Sequence, residues 1–136
     1  MTGEELAQKI RDCFDEESGI VLAVVFGSRA FGTETQKSDL DIGVASRDEL
    51  SVEDKIRVAQ TLSSKFACEV DLIDLRTAHG VLLQEILTRG TLVIHRDPVL
   101  YEMLIKRMLA EHEDDSRIAS KARAERVRRW SHQTKR

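Results

Sequence analysis

Two kinds of apolar pattern alternate along this chain. In one, apolar residues recur every three or four positions; in the other, short stretches are apolar throughout. Leu6, Ile10 and the Cys13/Phe14 pair recur at helical spacing. Thr2 and Glu5 have capping-box spacing, so the pattern predicts a helix from Thr2 to about Glu17, ended by Ser18-Gly19. Ile20 to Phe26 is a valine-rich run with no polar residue, the mark of a strand buried on both faces. Residues 27 to 38 read as a loop with glycines at 27 and 32, and Asp39 to Ala45 as a second strand. Ser51, with Asp54 three residues on, opens a helix to about Phe66 whose apolar stripe reads Ile56, Ala59, Leu62, Phe66. Glu69 to Leu75 reads as a third strand, Thr77 to Arg89 as a helix stopped at Gly90, and Leu92 to His95 as a fourth strand. Asp97-Pro98 then starts a last helix, because proline is favoured at the first helical position. Helices alternating with short strands predict an α/β (α+β) fold, with helices packed on a small sheet.

Length and composition narrow the class. At 136 residues the chain suits one domain with its own core. We divide it into a core over 1–97 and a helical extension with a basic tail over 98–136, both parts of that single domain. The longest apolar run is too short to cross a bilayer, and residues 2 to 18 are polar and largely acidic, unlike a signal peptide. We expect a cytoplasmic protein with no membrane association. Cys13 and Cys68 lack CxxC spacing and read as buried, reduced thiols. Net charge is −3, but residues 116–136 hold eight Lys/Arg and one Glu, so the rest of the chain carries −10. A basic tail on an acidic body suggests a partner, either nucleic acid or an acidic protein surface. A solvated helix or frayed terminus explains it equally well. Trp130 lies in that tail, where it can stack on a base or dock in a pocket.

The candidate chemistry lies in FGSRAFGTETQKSDLDIGV. Gly27-Ser28 forms a small-residue turn just after the first strand, offering backbone N–H groups and a hydroxyl to phosphates. Asp39 and Asp41 are spaced i, i+2, so on a strand both face one way while Leu40, Ile42 and Val44 face the other. Two carboxylates held that close repel unless a cation lies between them. Ligation by oxygen alone suits Mg²⁺, which takes one or two carboxylates and leaves its other positions to phosphate and water. Arg29 can grip phosphate as a bidentate fork or point to solvent, and Ser38 can support the carboxylate turn. Lys37 and Arg47 flank the carboxylates in sequence and read as a solvated face in preference to charges that steer an anion.

GSRAFG…SDLDIGV resembles the signature of the DNA polymerase β-like nucleotidyltransferase superfamily, and most closely its minimal nucleotidyltransferase (MNT) branch. The resemblance covers about residues 1 to 97. It implies a small mixed sheet flanked by helices and a magnesium-dependent nucleotidyltransferase using two Mg²⁺ ions with ATP as co-substrate. It gives Gly27 and Ser28 to nucleotide binding, and our own reading of the residues adds Arg29 and Ser38 as nucleotide-binding candidates. Asp39, Asp41 and a third carboxylate, matched by Asp71 in EVDLIDL, become the catalytic metal ligands. Strand parity agrees for Asp71, because Val70 and Leu72 fall on the opposite face. Asp74 reads as a surface charge near the next helix. MNT proteins are associated with HEPN-type toxins as antitoxins (type VII-like), adding AMP to a tyrosine of the ribonuclease partner. A small-molecule, antibiotic-type nucleotidyltransferase, or an antitoxin acting by binding alone, are the alternatives. The chain lacks a large second domain to hold a small substrate, so a protein partner, forming a hetero-oligomer, is the expected acceptor.

Overall fold

A computed structural model of the chain describes residues 1–27 and 39–112. Four α-helices and a four-stranded sheet lie within them. Helix α1 (Gly3–Cys13) is followed by a single 3₁₀ turn (Glu16–Ser18), strands β1 (Ile20–Phe26) and β2 (Leu40–Ser46), and helix α2 (Val52–Phe66). Strand β3 (Val70–Asp74), helix α3 (Gly80–Arg89), strand β4 (Thr91–His95) and helix α4 (residues 98–112) complete the order. The sheet runs β3-β2-β1-β4. β1 is antiparallel to both neighbours and β2 is parallel to β3, so the sheet is mixed, as expected.

Each end signal has a physical counterpart. Thr2 and Glu5 close their capping box, as do Ser51 and Asp54. Asp97 Oδ1 accepts from Leu100 N at 3.0 Å, capping the helix that Pro98 begins. The first helix stops at Cys13, earlier than its pattern predicts, because Asp15 caps a separate 3₁₀ turn through Glu17 N and Ser18 N. Gly19 then turns at φ +84°. The third helix starts at Gly80, after a turn in which Thr77 N and Ala78 N donate to Asp74 O. Gly90 caps it in an extended conformation, at φ −81°. Glycine is required there by crowding, since a Cβ would sit 2.9 Å from the Val25 carbonyl oxygen on β1.

The sheet is covered on both faces. Leu6 and Ile10 of α1, Phe14 at its C-cap, and Val58 and Leu62 of α2 pack on one face against Leu40, Ile42 and Val44. Ile86 of α3 and Leu100 and Leu104 of α4 pack on the other against Val21, Leu22, Val24 and Ala45. Each such side chain, fully buried, contributes about 1.5–3 kcal/mol relative to exposure. On α2 the buried stripe is Val58 and Leu62, while Ile56 is 52% exposed. The stripe is rotated from the predicted one because Lys55 fills a place facing the sheet and reaches Asp74.

Asp74 corrects a second expectation. It is buried, not a surface charge. Its Oδ1 accepts from Arg76 N at 3.0 Å, and Lys55 Nζ stands 3.9 Å from Oδ2, which accepts no hydrogen bond among the described residues. Asp74 therefore belongs to the turn into α3. Cys13 and Cys68 are free and half-buried. Burial pushes the Cys13 thiol pKa up against the opposing pull of Lys65.

Candidate nucleotide-transfer site

Three strand ends meet at one pole of the sheet. β1 ends there, while β2 and β3 both begin there. The register pairs Phe26 with Asp41 and Asp41 with Asp71, so these two aspartates lie side by side on neighbouring parallel strands. Parity then decides the face. Leu40, Ile42 and Val44 are fully buried under α1 and α2, and Val70 and Leu72 join the same cluster. Asp41 and Asp71 must therefore project from the opposite face. Asp39, one step before β2, is exposed and shares the parity of Asp41.

Gly27 ties the turn to the carboxylates. Its φ is +75°, a region L-residues rarely enter. A Cβ at Gly27 would run into the Asp41 carboxylate, lying 3.2 Å from Cγ and 3.4 Å from Cβ. Glycine at this position thus lets the chain turn away from β1 directly over Asp41. Ser28, Arg29, Gly32, Lys37 and Ser38 lie outside the described residues.

Asp41 is half-buried between Gly27 and Asp71, and its carboxyl is held above the usual aspartate range. Burial is the first cause, then the negative charges of Asp71 and Asp39. This electrostatic cost falls when a cation joins the site. Hard carboxylate oxygens on adjacent strands, open on one side to solvent, suit an ion that shares its coordination between protein and phosphate. They do not make a closed cage, since among the described residues no three acidic, imidazole or thiol groups converge on one point.

Other groups do not join the site. Arg47 stands at the far end of β2, its guanidinium 3.4 Å from the Glu16 carbonyl oxygen, so it does not flank the carboxylates. His95 stacks at 5.0 Å with Tyr101, and His79 caps α3 without a side-chain bond. Glu69, which the sequence pattern did not single out, is brought to the rim. Leu40 N donates to Glu69 O at 2.9 Å, placing Glu69 beside Asp39 as Asp71 lies beside Asp41. The i, i+2 spacing of Glu69 and Asp71 was the signal for it.

Residues 8–99 match the family described as polymerase beta, nucleotidyltransferase. The chain belongs to the polymerase beta nucleotidyltransferase family. Among curated relatives, the protein adenylyltransferase MntA of Shewanella oneidensis is 42% identical over 69 residues. That match spans 51% of this chain and 50% of MntA, so it covers about half the length of each. A crystal structure of a toxin-antitoxin with AMP-PNP superposes with a TM-score of 0.64 at 27% identity, over 91% of this chain and 94% of the other. A Shewanella oneidensis structure of an MNT antitoxin with a tri-AMPylated HEPN toxin shares the fold, with a TM-score of 0.64 at 24% identity over 90% of this chain and 94% of the other. The family match covers all three strand ends of the site. Among the described residues, no helix is long and apolar enough to cross a membrane.

Proposed function

We propose that this nucleotidyltransferase moves AMP from ATP to a tyrosine of a cognate HEPN ribonuclease toxin and so neutralises it as an antitoxin. The observation that carries this reading is the pairing of Asp41 with Asp71 beneath the Gly27 turn, within a family-matched segment. Its nearest support for the acceptor is the 42% identity with MntA, a protein adenylyltransferase, and the likeness to a toxin-antitoxin holding AMP-PNP. Such a reaction places the protein in the cytoplasm.

Asp39, Asp41 and Asp71 are the residues that would hold two Mg²⁺ ions. Bound there, such ions would supply charge neutralisation at the phosphates and stabilisation of the attacking and leaving oxygens. The chain's own groups do the rest. Gly27 and Ser28 are the residues that would contact the β- and γ-phosphates, with Arg29 next to them in sequence and Ser38 next to Asp39. The tyrosine oxygen forms a bond to the α-phosphorus as the bond to the pyrophosphate oxygen breaks. Asp71, the more exposed carboxylate, accepts the phenolic proton.

The test is intact-mass analysis of the partner after incubation with Mg²⁺ and ATP. The native chain adds whole AMP units, and the Asp39→Ala/Asp41→Ala variant adds none while keeping the far-UV spectrum of the native fold. Unchanged AMP addition by that variant would sink the proposal. Protection of cells by the inactive variant would make contact alone the mechanism.

A further inference from the structure

A cleft of about 520 Å³ opens at the opposite pole of the sheet from the aspartates. It lies where β1 begins and β2 ends, beside Gly19 and Ser46. Gly19 is about 26 Å along β1 from Gly27, at about 3.3 Å per residue. Phe14, Leu50 and Val58 form its apolar floor, and Glu17, Asp48, Glu49 and Asp54 line its rim. The rim holds four acids against two arginines, of which Arg47 keeps its charge. Arg57 pairs with Asp54 at 2.7 Å, and Arg47 reaches the Glu16 carbonyl oxygen. Among the described residues no ion pair neutralises Glu17, Asp48 or Glu49. The cleft is therefore built for a ligand with an apolar centre and several positive charges.

The chain carries such a segment. Residues 116–136 hold eight Lys/Arg, one Glu and the protein's single tryptophan, Trp130, with Arg128 and Arg129 just before it. The described chain ends at the right pole to deliver it. Near the end of α4, Glu111 Oε1 accepts from Gly80 N at 2.8 Å, and the Arg107 guanidinium donates to the Arg76 and Ala78 carbonyl oxygens at 3.0 Å each. Arg76 in turn donates to the carbonyl oxygens of Ser46 and Arg47, two residues that line the cleft. From Glu113 through Trp130 the chain reaches about 60 Å when extended. A random coil of that many residues would span roughly 20–25 Å. A tether of that size gives an effective concentration in the millimolar range, so even weak complementarity fills the cleft.

We propose that the acid-rimmed cleft between the 3₁₀ turn and the start of α2 is the docking site of this chain's own basic tail, with Trp130 seated on the Phe14–Leu50–Val58 floor. The inference does not depend on the nucleotidyl-transfer reading. It accounts for the split of charge between tail and body, which the transfer site does not use.

Trp130 is its own reporter. In the full-length protein its emission is expected to lie to the blue of free indole, with acrylamide quenching weaker than in urea. Glu17→Lys/Glu49→Lys, at two exposed rim positions, should shift emission to the red and raise quenching to the unfolded level while leaving far-UV circular dichroism unchanged. Glu49→Gln alone, a milder change, should shift both partway. Raising salt from 0.1 M to 1 M shortens the screening length from about 10 Å to about 3 Å and should release the tail likewise. Glu85→Lys on α3, away from the cleft, should do nothing. The proposal is overturned if Trp130 in the native chain is as accessible as in urea, or if its protection survives charge reversal. It is also overturned if protection grows with protein concentration, which assigns the tail to a second copy, or arises only with toxin or nucleic acid added.

Discussion

Replacing Gly27 with alanine separates two effects that the structure places on one atom. The first is conformational: at φ +75° an L-residue is disfavoured by roughly 1–2 kcal/mol. The second is contact. The new Cβ would lie 3.2 Å from Asp41 Cγ and closer still to a carboxylate oxygen, so the carboxylate must turn aside. Asp41 is a short, half-buried side chain, and an off-rotamer torsion costs about 0.5–1.5 kcal/mol. Together these predict a loss of about 2–3 kcal/mol in urea denaturation. For a domain this size each kcal/mol moves the melting point by roughly 3–5 °C. Activity should fall further than stability, since a ligand displaced by about 1 Å can cost 10²-fold in rate. The decisive measurement is a double-mutant cycle with Asp41→Ala. Without the carboxylate, Gly27→Ala should lose only the backbone part, so its cost should drop by about 0.5–1.5 kcal/mol. Equal costs in both backgrounds, or a total below about 0.5 kcal/mol in the native chain, would refute the coupling of turn and aspartate.

Two further outcomes follow from the same residues. Burial, Asp71 and Asp39 raise the Asp41 pKa, so folding favours the protonated carboxyl. The metal-free protein therefore gains this stability fully below the ordinary value of 3.8 and loses it as the pH rises through the raised one. The stability difference between the native chain and Asp41→Asn, measured by urea midpoints without divalent ions, should change across mildly acidic pH in favour of the variant as pH rises; a flat difference contradicts the assignment. Ser51→Ala removes the hydroxyl that accepts from Asp54 N at 3.0 Å and should lower stability by about 1 kcal/mol, read as a shift in urea midpoint at constant slope.

Much of this protein follows from local rules acting over a few residues. The capping boxes at Thr2 and Ser51, the Asp97-Pro98 helix start and the buried run Ile20–Phe26 each depend on neighbours within one turn or one strand, so the sequence determines them directly. Strand parity likewise sends Leu40, Ile42 and Val44 to one face and their neighbouring aspartates to the other before any packing is known. Tertiary structure decided what depends on groups far apart in the chain. The register that sets Asp41 beside Asp71 comes from parallel pairing across the whole of α2. Asp74 is buried with Lys55 of that helix 3.9 Å from its Oδ2, and Gly90 is crowded by β1. The stop of α1 at Cys13 reflects Asp15 capping its own turn, a competition that apolar spacing cannot express. The cleft at the far pole unites residues 13–20 with residues 46–61, and no periodicity links those two segments. Periodicity reports which way a side chain points, whereas what it meets there depends on elements that only the folded chain brings together.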